Sequence, residues 1–179
     1  MNKTPSPQQF RDTVYQMMVK RADATLDLID ALTVAGHVDS PVALSEELLF
    51  RRQFSSVYDV LNEKPIDEET LKAYLYEAQP TEAETIAGYE VYAVDCTPEP
   101  HPEAKTLPDR GKLKSQTEAV TEEGLKPSWL VRLVKWRSSW VAPLDVRRVS
   151  TASTDSQTAV DQVKALEERS PRLKGVVAD

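Results

Sequence analysis

The spacing of apolar residues changes once along this chain, at Gly88, and that change decides the fold class. Upstream of it, Ser6-Pro7-Gln8-Gln9 carries a capping serine, a proline at the first helical position and a glutamine three residues on. Phe10, Val14, Met17, Met18, Thr25, Leu28, Ile29 and Leu32 then recur at helical spacing, which predicts one long amphipathic helix ending near Gly36. Ser40-Pro41 opens a second helix through Val42, Leu44, Leu48 and Leu49, and a third follows with Phe54, Val57, Tyr58 and Leu61. Asp67 caps a fourth, carrying Leu71, Tyr74 and Leu75 towards Pro80. These stripes read as helix faces packed against one another, so residues 1–87 are expected to form an all-helical amino-terminal domain.

Downstream of Gly88 the pattern is that of strands. Gly88 to Thr97 reads as a strand with Tyr89, Val91, Ala93 and Val94 as its apolar members, running into Asp95 and breaking at Pro98. Pro98, Pro100, Pro102 and Pro108 exclude a regular helix or a central strand from the next segment. The polar residues from Lys112 to Lys126 read as loop. Ser128 to Trp136 is dense in β-formers, and a turn at Arg137-Ser138 returns the chain through Ser139 to Leu144 as an antiparallel partner. Pro143 lacks a donor, so that partner is expected to be an edge strand or to end there. Thr154 to Gln157 is a capping box, followed by a helix with Val160, Val163, Ala165 and Leu166 on its apolar side. Leu173 to Asp179 is a last strand. The predicted class is α+β: a helical bundle, then a mixed sheet over residues 88–179 with three antiparallel strands, a helix and a parallel fourth strand. The helical crossover is what allows the fourth strand to lie parallel to an earlier one.

A carboxylate at the end of a buried strand is costly unless a cation meets it. If the first and fourth strands are neighbours, Asp95 and Asp179 share the carboxyl edge of the sheet, where ligands bind in open sheets. Two carboxylates so placed repel unless a divalent cation neutralises them, and hard oxygen donors favour Mg²⁺ or Mn²⁺. Lys126, Arg132, Lys135, Arg137, Arg147 and Arg148 cluster on the second and third strands and their flanks. They are candidates for phosphate contact, with a solvated sheet face as the plainer alternative.

Composition narrows the rest. The amino terminus is polar and lacks the apolar core of a signal peptide, and no run approaches the ~18 apolar residues of a membrane span. A single cysteine, Cys96, forms no internal disulfide and suits a reducing cytoplasm. The net charge of -7 argues against indiscriminate nucleic-acid binding, while leaving room for a local basic patch. Arg51-Arg52 lies between two short helices as in a helix-turn-helix, but the acidic residues that follow would repel phosphates. Trp129, Trp136 and Trp140 read as packing residues rather than stacking platforms. Cys96 and His101 lack a third, orienting residue, and no glycine-rich phosphate loop, zinc pattern or Ser–His–Asp set is present.

Several segments in order resemble one family. Val94-Asp95-Cys96-Thr97-Pro98, Leu107-Pro-Asp-Arg-Gly111 and Ser139-Trp-Val-Ala-Pro-Leu-Asp-Val-Arg-Arg-Val149 resemble the amino-terminal part of bacterial insertion-sequence DDE transposases, the DDE superfamily endonucleases. Arg51 to Val60 resembles the helical region that precedes their catalytic domain, and the resemblance runs over residues 8–179. It implies a ribonuclease-H-like fold, a catalytic Asp at Asp95, a second at Asp179, and Mg²⁺ or Mn²⁺ as cofactor. It also implies DNA, both transposon ends and target, as partner, in a bacterial cytoplasm close to the nucleoid. The family's third carboxylate, a Glu on a later helix, has no counterpart among these residues, so a truncated and inactive catalytic domain is expected. The alternatives are a non-catalytic module that binds DNA or a full-length transposase, and self-association through an exposed sheet edge.

Overall fold

The computed structural model describes residues 4–38, 40–63, 66–80, 85–114, 121–136, 139–169 and 174–178. The chain divides into two compact units, a helical one up to Ala78 and a mixed one from Gln79 onwards.

In the helical unit, the residues expected to form one long helix form two, α1 (Pro7–Gln16) and α2 (Ala22–Val34). Arg21 caps α2 in the left-handed region, at φ 50°, which breaks the helical path. The break lets Met18 leave the helix, bridge to Ile66 and bury its side chain. The Arg21 guanidinium then reaches Glu63 at 2.8 Å and Asp59 at 3.2 Å. The hydrogen bond to Glu63 holds its proton more tightly than usual. Three further helices follow: α3 (Pro41–Glu46) behind its Ser40 cap, α4 (Ser55–Glu63), and α5 (Glu68–Glu77) behind its Asp67 cap. Leu28, Ala31, Leu44, Phe50, Val57 and Val60 form the larger of the apolar clusters they bury.

The mixed unit is α+β. Its main sheet has strands β1 (Glu90–Cys96), β5 (Pro127–Trp136), β6 (Ser139–Arg148) and β7 (Lys174–Ala178) in the order β6-β5-β1-β7. β5 runs antiparallel to β1 and to β6, whereas β7 lies parallel to β1 after the crossover helix α6 (Asp155–Arg169). β6 is an edge strand, as Pro143 requires. It carries a bulge: Asp145 and Pro143 oppose the consecutive residues Leu130 and Val131, which leaves Leu144 as the extra, buried residue.

The stretch from Lys112 to Lys126, expected to be loop, instead supplies two strands. β3 (Gly111–Lys114) pairs with β4 (Thr121–Leu125), and β4 pairs with the short β2 (Glu99–Pro100). β2 continues from β1 and β4 leads into β5, with a hydrogen bond from the Thr97 N–H to the Pro127 carbonyl joining the two ladders. The result is a small three-stranded sheet, in the order β2-β4-β3, that continues past the carboxyl end of β1. Gly124 is needed there, because a Cβ at that position would collide with the Glu99 carbonyl oxygen.

The two faces of the main sheet differ. Glu90, Tyr92 and Val94 of β1 and Ser128, Leu130, Arg132 and Val134 of β5 point into the core. α6 packs against both strands, burying Thr158, Gln162 and Leu166 at intervals of one helical turn. This corrects the predicted apolar side of α6, since Val160 is exposed and a glutamine takes the central place. Gln162 is fully buried because Ser128 satisfies it: the Ser128 hydroxyl donates to Gln162 Oε1 at 2.6 Å, and Gln162 Nε2 donates to the Ser128 carbonyl at 3.1 Å.

Candidate active site

The alternation along β1 assigns its two acids to different environments. Glu90 points inward, where burial of its charge is compensated by Arg132 Nη2 at 2.9 Å and by the Tyr92 hydroxyl donating at 2.7 Å. Asp95 points to the opposite face and is exposed. The costly buried carboxylate of this strand is therefore Glu90, not Asp95, and its partner is an arginine rather than a metal ion.

The position of Asp95 along the sheet is well defined. It lies near the carboxyl end of β1, and β7 runs parallel beside it. The last described pair of that ladder is Val94 with Ala178, each one residue before Asp95 and Asp179 in the chain. Asp179 lies outside the described residues. No hydrogen bond or ion pair engages the Asp95 carboxylate among the described residues, so its hard oxygens are available to a divalent cation. Among the described residues, no three His, Cys, Asp or Glu side chains gather closely enough to hold a metal ion. Asp95 thus fits such an ion as one donor of a set.

The basic candidates fare differently. Arg132 is buried, with its guanidinium shared among Glu90, Gln79 and the Pro80 carbonyl, so it is withdrawn as a phosphate contact. A cation held at 2.9 Å from a buried carboxylate cannot also reach solvent. Lys126 binds Asp155 at 2.8 Å, and Arg147 binds Asp145 at 2.6 Å. Arg148 is exposed and donates to the Pro108 carbonyl, tying the end of β6 to the loop before β3. Arg137 and the side chain of Lys135 lie outside the described residues. In the helical unit, Arg52 is engaged by Asp27 at 3.2 Å and Asp23 at 3.7 Å.

A model of the family described as DDE superfamily endonuclease matches residues 13–179. The chain belongs to that family. No curated protein and no solved structure matches it. DDE superfamily endonucleases generally act with divalent metal ions. No helix among the described residues is long and apolar enough to cross a membrane.

One feature of this site escaped the sequence reading. Trp129 is the direct cross-strand partner of Asp95, and it is 38% exposed rather than buried in the core. The signal was present in the parity of the strand: Trp129 is out of phase with Ser128, Leu130 and Arg132, which point inward.

Proposed function

We propose that the mixed unit carries part of a metal-dependent DNA-cleaving centre of the transposase kind, built on a ribonuclease-H-like sheet. The observation that carries this reading is an exposed carboxylate, Asp95, without a partner among the described residues, near the carboxyl end of β1 and beside the parallel strand β7, which Asp179 follows in the chain. Asp95 and Asp179 would hold Mg²⁺ or Mn²⁺, which when bound supplies Lewis-acid activation of water and charge neutralisation at the phosphodiester. The chain's own contribution is geometric: β1 carries Asp95, and β7 brings Ala178, the residue before Asp179 in the chain, beside Val94 on the adjacent strand. Binding at transposon ends and transfer into a target are the finer form of the same reading.

Calorimetric titration of the 179-residue chain with Mn²⁺ tests it. Binding that disappears in Asp95→Asn, with an unchanged circular dichroism spectrum, is the expected result. Binding that survives that substitution would remove Asp95 from the site. Because no three metal-ligating side chains gather among the described residues, the 179-residue chain by itself is expected to leave supercoiled plasmid intact in Mn²⁺. Nicking that is lost in Asp95→Ala would contradict that expectation. Metal-independent association with DNA or with a full-length transposase is the outcome that would favour a binding module instead.

A further inference from the structure

The neighbourhood of Asp95 offers a nucleic acid something besides cations. Asp95 and Trp129 face each other across the β1–β5 ladder, and Val146 of β6 faces Trp129 from the other side. Directly opposed residues in such a ladder have Cβ atoms about 4.5–5.5 Å apart, so the indole and the carboxylate are nearest neighbours on one surface. That surface is the face away from α6, continued by Val131, Leu133 and Val141, with Leu133 36% and Val141 44% exposed. Lys126, Arg132 and Arg147, which the sequence suggested as phosphate contacts, are engaged by Asp155, Glu90 and Asp145. Arg148, two residues beyond Val146 on the same side of β6, is exposed and donates to the Pro108 carbonyl. What the described residues present directly opposite Asp95 is therefore an exposed aromatic ring on an apolar shelf, with this arginine at its margin.

We propose that Trp129 is a base-stacking residue of the DNA site, taking on its indole a nucleobase of the strand whose phosphate lies at Asp95. The proposal rests on the reading of Asp95 given above. A ring of this kind stacks on any base because every base has a π-face, so it confers little sequence preference. It requires a base that is free to leave its own stack. The favoured ligand is thus single-stranded DNA, or a duplex end that has frayed, over an intact duplex. Trp129 is a binding and positioning residue: it holds the nucleotide, and the chemistry stays with the carboxylates.

The test is fluorescence anisotropy of a labelled single-stranded oligonucleotide titrated with the full chain, without divalent cation so that no strand is cut. Trp129→Leu, which keeps apolar bulk but removes the ring face, is expected to weaken binding by roughly five- to a hundredfold, and Trp129→Phe by much less. The unmodified chain, which needs no substitution to fold, should bind an oligonucleotide of the same length carrying abasic sites as weakly as the leucine variant binds the normal one. Equal affinity for normal and abasic oligonucleotides, or an unaffected leucine variant, would overturn the stacking role. So would a complete absence of DNA binding by the unmodified chain. The Mn²⁺ titration reports separately on Asp95, so failure of the stacking role and failure of the metal site are distinguishable.

Discussion

Replacing Arg132 by methionine isolates the largest electrostatic commitment in the mixed unit. The substitution keeps much of the side chain's length and removes the cation from a pair in which both side chains are 7% exposed. Glu90 then stays buried without the guanidinium, and the Gln79 side-chain oxygen and Pro80 carbonyl lose a donor. Removing one member of a buried pair costs about 3–5 kcal/mol, against a total stability of about 5–15 kcal/mol for a domain. With a urea dependence of about 2 kcal/mol per molar, the midpoint should fall by about 2 M. Trp129, Trp136 and Trp140 all lie in the mixed unit, so tryptophan emission follows its unfolding alone. The deficit should also depend on pH with a definite sign. A buried carboxylate without its cation favours the protonated form in the folded state, so the penalty is absent where both states are protonated. It grows as the pH rises, and the gap between variant and parent should narrow on going from about pH 8 to about pH 5. Glu90→Leu combined with Arg132→Met should recover most of the loss, because a buried pair replaced by apolar groups is close to neutral. A midpoint shift below about 0.5 M for the single variant, or a double variant no better than the single, would refute the assignment of Arg132 to the core.

Further outcomes follow from other contacts. Gln162→Ala should destabilise the mixed unit by about 1–3 kcal/mol, since it orphans the buried Ser128 hydroxyl, and a double-mutant cycle with Ser128→Ala should recover part of that loss. Gly124→Ala places a methyl 2.8 Å from Pro100 Cα and against the Glu99 carbonyl. Amide exchange in β2 and β4 should quicken in that variant while the ladder between β1 and β7 keeps its protection. In the helical unit, the Thr70 hydroxyl and, after it, the Thr70 N–H hold the Asp67 carboxyl below its ordinary range. The stabilisation from that cap is present above the ordinary value and lost as the pH falls through the lowered one. Thr70→Val removes the hydroxyl alone, so the Asp67 titration followed by carboxyl NMR should move upwards towards the ordinary value.

The elements that periodicity marked strongly were legible in the sequence. The helices beginning after Ser40 and Asp67, the two long strands around Arg137 and the crossover helix with its parallel strand all follow from caps, β-formers and turn residues. The break at Arg21 was not legible, because Met17, Met18 and Thr25 continue a helical stripe. Tertiary burial of Met18 against Ile66 decides it instead. The small sheet was hidden for a different reason: β2, β3 and β4 are short, polar or glycine-containing strands whose hydrogen bonds come from residues distant in sequence. The place of Asp95 near the end of a strand was legible as well. Its environment was not, because counting apolar neighbours on both sides of β1 assigned the burial to Asp95 that belongs to Glu90. Arg132 misled for the same reason: an arginine within a strand reads as solvated until its carboxylate partner is located.

The bulge at Leu144 has a consequence for the sheet as a template. Along β6, Pro143 removes a donor and the extra residue offsets the backbone, so a foreign strand meets an irregular margin that resists pairing. Along β7 the ladder with β1 advances residue by residue from Lys174 to Ala178 with no register shift. The sheet is therefore finished on one margin and continuable on the other, and the continuable margin is the strand beside Asp95.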